Sequence, residues 1–193
     1  AQYAKTFRET AKRMGQWTRR ENLDALFVAG SNEAAEPVWN DMPHEIRVRA
    51  TLLKGEYARL SPAALQDRLA PEIEQWKRTQ EAAAVAEILA QRNRKRAVLG
   101  VDETLRALQE GRVRNVLVAR GVRGRVRRCR QCGWTDRAAD RVCAACGGER
   151  RIITLREIVP ELIRKVGVSV EVVAGNAARK LKAVGGMAAW LRE

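Results

Sequence analysis

Over residues 2–20, large apolar side chains recur at three- and four-residue steps: Tyr3, Phe7, Met14 and Trp17. This spacing predicts a helix whose large residues enter a core. The run from Leu23 to Gly30 reads as a buried strand stopped by a glycine, residues 33–42 as a short helix closed by Pro43, and Val48 to Leu53 as another strand before the Lys54-Gly55 turn. Ser61-Pro62 carries a cap and a first-turn proline, the signature of a helix start. That helix is expected to run to about Asn93, with Pro71 kinking or dividing it. The basic run 92–96 closes the first half, where its cations suit the negative end of the helix dipole.

Ala97 to Val101 then predicts a strand feeding Asp102 as a helix cap, with Leu105, Ala107 and Leu108 at helical spacing and Gly111 at the C-terminal cap. Val113 to Ala119 predicts a second strand. Two short alternating runs, 122–128 and 149–154, are expected to pair as a hairpin. Thr154 caps a helix to Lys165, interrupted by Pro160 and ended by Gly167; a strand at 168–173, a helix at 177–183 and a strand at 187–191 complete the pattern. Strands alternating with helices predict α/β layering in both halves. The pattern predicts two domains, 1–95 and 96–193, with a short join near residues 94–97.

Charge changes the picture next. Lys+Arg number 37 against 23 Asp+Glu, a net charge of +14, in a chain that is 46% hydrophobic, so the composition is globular. No apolar run reaches the ~18–20 residues of a membrane helix, and residues 1–20 lack the apolar core of a signal peptide, so a cytoplasmic location is expected. The excess is concentrated: residues 112–151 carry 12 Arg against Asp136, Asp140 and Glu149. Such a field attracts a polyanion, and Arg123, Arg125, Arg127, Arg128 and Arg130 are the candidate RNA-binding residues. The plainer reading is a solvated face, because Arg outnumbers Lys 29 to 8 along the chain.

The same segment holds all four cysteines, as Cys129-x-x-Cys132-Gly133 and Cys143-x-x-Cys146-Gly147. Two such pairs form paired knuckles around one tetrahedral metal, the glycine letting the backbone turn so that amides point at the sulfurs. Four thiolates in a closed site point to Zn2+, with a rubredoxin-type iron centre, two disulfides and a redox-active pair as the rival readings. Trp134, inside the first knuckle, either packs over the thiolates or stacks on a base.

These residues together resemble a known family. Residues 99–111 and 113–118, with the C-terminal Gly167 to Val173 and Gly185 to Arg192, are similar to the C-terminal domain of the archaeal and eukaryotic class-1 peptide-chain release factors and their Pelota-type rescue relatives. The first half, with its long helix, its Leu26-to-Ser31 strand-and-glycine and its second long helix from Ser61-Pro62, resembles the family's middle domain. The resemblance implies a ribonuclease-H-like middle domain (1–95) and an α/β/α sandwich related to kink-turn-binding ribosomal proteins (96–193). Some members carry a zinc mini-domain where Cys129–Cys146 falls here. It implies a ribosome-associated factor of the release, rescue or hibernation group, with rRNA and tRNA as contacts and a translational GTPase as partner. The Ala/Arg-rich composition and the knuckle point to a bacterial homologue.

No catalytic residue emerges. In release factors a Gly-Gly-Gln loop directs water onto peptidyl-tRNA; here the Gly-Gly pairs, Gly147-Gly148 and Gly185-Gly186, are followed by Glu149 and Met187. His44 is the only histidine, Asp24 alone makes no acidic metal site, and no small-molecule substrate is indicated. Two alternatives stay open: a peptidyl-tRNA hydrolase, if an upstream Gly-Gly-Gln exists, and a zinc-ribbon nucleic-acid-binding protein.

Overall fold

The structure is a computed structural model that describes residues 2–21, 23–92 and 95–192. It divides into two compact units, Ala1–Pro71 and Glu72–Glu193.

The first unit holds α1 (Gln2–Arg20), β1 (Leu26–Gly30), α2 (Asn32–Asp41), α3 (His44–Arg47), β2 (Ala50–Lys54) and the start of α4 (Pro62–Gln91). β1 and β2 are parallel, with Leu26 opposite Ala50. Ala11, Leu26, Val28, Val38, Met42 and Ile46 form its core, and Phe7 and Met14 pack against it. Trp17 does not join them: it is 51% exposed, while Thr18 is buried and donates its hydroxyl to the Met14 carbonyl at 2.7 Å. The buried stripe runs through Ala11, Gly15 and Thr18, and position 17 lies off it by the 100° step of the helix. Phe7 and Met14 border this stripe as expected, and Trp17 falls outside it. The Tyr3 side chain lies outside the described residues.

α4 starts at Pro62, with the Ser61 hydroxyl accepting from the Ala64 amide at 3.3 Å. Pro71 interrupts nothing; the helix is continuous from Pro62 to Gln91. A single proline removes one ladder bond, which a thirty-residue helix tolerates. The boundary between the two units falls at this point of the chain, and the second half of α4 contributes the fully buried Val85 and Ile88 to the second unit. Asn93 and Arg94 lie outside the described residues.

The second unit is built on a four-stranded sheet ordered β3-β9-β4-β8, from β3 (Ala97–Leu99), β4 (Val113–Ala119), β8 (Ser169–Val173) and β9 (Met187–Leu191). β4 and β8 are parallel, and β9 runs antiparallel to both β3 and β4. Alternation along β9 shows the layering. Met187 and Ala189 pack with Leu105 and Leu108 of α5 (Val101–Gln109) and Ile158 and Leu162 of α6 (Leu155–Val166). Ala188 and Trp190 pack with Leu181 of α7 (Gly175–Ala183) and with Val85 and Ile88. A sheet covered on both faces by helices is an α/β/α sandwich, and burial of both faces explains its near-continuous apolar runs.

Three local expectations met different outcomes. Thr154 caps α6 as expected, in a reciprocal capping box with Glu157, and Gly167 ends it at φ 69°. Pro160 sits inside α6 without interrupting it. Asp102 is not the cap of α5: Gly100 holds that position, and Asp102 lies in the first turn with its carboxylate engaged elsewhere.

Between β4 and α6 the chain forms a separate small sheet ordered β6-β5-β7, from β5 (Arg125–Cys129), β6 (Thr135–Asp136) and β7 (Arg150–Thr154). The flanks pair antiparallel as the alternating runs predict, with Arg125 opposite Thr154 and Cys129 opposite Arg150.

Candidate metal centre and basic surface

The two Cys-x-x-Cys-Gly segments fold alike. In the first, the Gly133 amide donates to the Cys129 carbonyl at 3.2 Å and the Cys129 amide to the Trp134 carbonyl at 2.9 Å. In the second, the Gly147 amide donates to the Cys143 carbonyl and the Cys143 amide to the Gly148 carbonyl, both at 2.8 Å. Gly133 and Gly147 take φ of 76° and 74°, a left-handed conformation that glycine enters without steric cost. Each knuckle buries its first cysteine and exposes its second.

These turns bring all four sulfurs within 4.8 Å of one another. Cys129 and Cys146 Sγ lie 3.4 Å apart, and Cys132 and Cys143 Sγ 3.7 Å apart. Four sulfurs bonded to one zinc at about 2.3 Å would be separated by about 3.8 Å, so the spacing fits a tetrahedral thiolate site. The thiols are free rather than paired as disulfides. The Cys132 amide, helped by that of Gln131, brings the Cys129 thiol down to about 6 against burial. The Trp134 amide favours a thiolate at Cys132, yet the sulfurs of Cys146, Cys129 and Cys143, together with burial, push Cys132 up to about 12. One sulfur ionises readily and the next resists, because negative charge accumulates in a small volume. A divalent cation removes that resistance, so the donor set fits a structural metal, held by Cys129, Cys132, Cys143 and Cys146.

Side chains fasten this ribbon to the sandwich. Gln109 of α5 donates to the Thr135 carbonyl at 2.8 Å and accepts the Thr135 amide at 2.6 Å. Arg137 pairs two-pronged with Asp102, which holds the Asp102 carboxyl below its usual range. Arg128 makes a two-pronged pair with Glu161 of α6, at 2.6 Å through each nitrogen. Within the ribbon the buried Arg150 guanidinium bonds Asp136 and donates to the Arg127 carbonyl at 3.1 Å. Gln109, Asp136 and Arg150 escaped the sequence reading. Nothing in their chain neighbourhood marks them, because Asp136 and Arg150 sit among other polar residues.

The five candidate RNA-binding arginines do not form one surface of equals. Arg128 is committed to Glu161, and Arg130 lies 3.4 Å from Glu149. Arg127 is half-buried. Arg123 and Arg125 are exposed, and no carboxylate pairs with them among the described residues. Trp134 is half-buried and donates its indole N–H to Asp136 at 3.0 Å. His44 is exposed at the start of the four-residue α3, and Asp24 is exposed. Both Gly-Gly pairs have structural roles. Gly147-Gly148 belongs to the second knuckle, where a Cβ on Gly148 would lie 3.1 Å from Cys129 Sγ. Gly185-Gly186 forms the turn between α7 and β9, pressed against Gly100.

This architecture is that of the release-factor and Pelota class of folds. The chain aligns over 98% of its length with 49% of ribosome-bound archaeal Pelota, at 22% identity and a TM-score of 0.61. It aligns over 96% of its length with 52% of S. cerevisiae Dom34, a translation termination-like factor, at 13% identity and a TM-score of 0.57. The chain therefore spans about half the length of each of these proteins. Its residues 2–112 match the model of the bacterial archaeo-eukaryotic release factor family 3, and the chain belongs to that family. No curated protein sequence matches it.

Proposed function

We propose that this chain is part of a ribosome-associated translation factor of the release, rescue or hibernation group. The observation that carries this reading is membership of a release-factor family. The fold shared with Pelota over almost the whole chain supports it. Residues 1–95 then correspond to the middle domain and 96–193 to the C-terminal domain, with the ribbon at 123–151 as its zinc mini-domain. The second domain docks a translational GTPase. Zinc in the ribbon would supply no chemistry to a substrate, since four protein ligands close its coordination shell; it would hold the ribbon's shape. Arg123 and Arg125 are the arginines best placed to meet rRNA, being exposed and unpaired. Arg128 serves the fold instead.

Sedimentation with 70S ribosomes at increasing salt tests the reading. Association should weaken with a log–log slope of about −0.7 to −0.9 per phosphate contacted. Arg123→Glu/Arg125→Glu should weaken it further and leave the melting temperature unchanged. A chain that binds free RNA but never co-sediments with ribosomes would favour the zinc-ribbon alternative.

A further inference from the structure

The α5–α6 layer leaves one margin of the sandwich open. β8 is an edge strand, paired only with β4 among the described residues. On the face towards α7, Val173 is fully buried, but Val170 and Val172, facing α6, are 44% and 51% exposed. They flank a groove of about 1210 Å³ whose floor also includes Val118, Leu155, Val159 and Ile163. Arg120, Arg123, Arg125, Arg156 and Arg164 surround it, all exposed, and no carboxylate lines it. The first four pair with no acid among the described residues, and Arg164 faces only Glu161, whose carboxylate Arg128 already holds. The second unit thus offers together an apolar floor, a row of unpaired backbone groups on a strand edge, and a one-sided positive rim.

Each feature limits the occupant. Exposed valines on a free edge accept another strand, whose alternate side chains fall on one face. A rim of unpaired arginines demands carboxylates. No aromatic ring lines the groove, so it lacks the stacking platform that single-stranded RNA uses. We propose that this groove docks an extended acidic segment of a partner protein. The segment adds a strand to the free edge of β8, lays alternate apolar side chains on Val170 and Val172, and meets Arg120, Arg156 and Arg164 with its carboxylates, leaving Arg123 and Arg125 to the RNA contact. The proposal deepens the partner-docking part of the reading above and rests on the second unit binding a protein, not on its binding RNA.

Selection of a random octapeptide library on the full chain tests this. Selected peptides should be rich in Asp and Glu, with Val, Ile or Leu at alternate positions. A fluorescent copy of a selected peptide should lose at least about tenfold in affinity to Val172→Lys and to Arg156→Glu/Arg164→Glu. N-methylation of its alternate amides should abolish binding. The substituted positions are exposed, and unchanged melting temperatures would confirm that the variants fold. Val172→Lys should still co-sediment with ribosomes; loss of both activities would make the surface ribosomal and overturn the proposal. Peptides without acidic enrichment, undiminished binding to Val172→Lys, or complete displacement by oligouridylate with the same Val172 dependence would also overturn it. Peptide binding by a chain that fails to co-sediment with ribosomes would support the groove and sink the ribosome reading.

Discussion

Gly185 and Gly111 both hold left-handed backbone, at φ 102° and 69°, but only Gly185 is pressed against another segment. A Cβ at Gly185 would lie 2.7 Å from the Gly100 Cα, whereas one at Gly111 would meet nothing within 4 Å. Gly185→Ala should therefore cost about 2 kcal/mol or more, and Gly111→Ala about 1 kcal/mol, the conformational cost alone. Urea unfolding of the two variants checks the difference; equal losses would refute the close approach. A second single-residue effect sits on β8. Burial, and the neighbouring Glu81 carboxylate, raise the Glu171 pKa above the usual glutamate value. Glu81 is itself held by the Ala174 amide at 2.8 Å and lies 3.6 Å from Arg78. An acid with a raised folded pKa binds more protons folded than unfolded, so its contribution to stability falls as pH rises from its unfolded value through its folded one. Glu171→Gln should leave the melting temperature unchanged near pH ~4 and raise it relative to the parent near pH ~7. A variant no more stable at neutral pH would show that Glu171 is not strained when ionised.

The ribbon is the element whose stability a metal bound by its four cysteines would control. Its apolar contribution is small: Val126 of β5 is buried in the sandwich core, and Ile153 of β7 packs against it. What remains is the four-sulfur cluster, the Arg150–Asp136 pair and the anchors Gln109, Asp102 and Glu161. A structural zinc supplies folding free energy directly, so its removal should loosen residues 123–151 and leave the four-stranded sheet folded. One metal per chain is expected by elemental analysis. Chelation, or Cys143→Ser, should speed amide exchange in β5, β6 and β7 while β4 and β9 keep their protection. Exchange that rises equally in both sheets would mean that the metal supports the sandwich itself. The anchors hold the ribbon against the sandwich. Gln109 satisfies both backbone groups of Thr135, so Gln109→Leu leaves a buried donor and acceptor unmade at a cost of about 1–3 kcal/mol.

Across the chain the charge is divided unevenly, and most of the positive excess lies in the second half. The two Gly-Gly pairs are occupied by the knuckle and the β9 turn. Ribosomes loaded with labelled peptidyl-tRNA should therefore release no more label with this chain than without any factor. Release faster than about 1 per second would reveal an active site. Much of this was legible in the pattern of residues: the clustering of the four cysteines, the paired flanks of the ribbon, the α6 cap and the strand β9. Trp17, Asp102 and Pro71 were misjudged for a shared reason. Each was assigned from its own preference, and each was decided by its neighbours: the small-residue stripe of α1, the Gly100 cap and the continuity of the α4 ladder.

By itself the sequence determined the elements that depend on local spacing. Period-two and period-3.6 apolar patterns, caps, and cysteines three apart act within a few residues, so chain order is enough to read them. Only the tertiary structure decided which arginines are free. Arg128 and Arg130 look like Arg123 and Arg125 in the chain, but their acids come from positions 161 and 149, far along the sequence and close in space. The tertiary structure also decided that Val85 and Ile88 of α4 belong to the second core. It left β8 at the sheet edge, where Val170 and Val172 stay exposed because α6 does not reach across them. Pairing and burial at long range depend on strand order and layer packing, which no local pattern encodes.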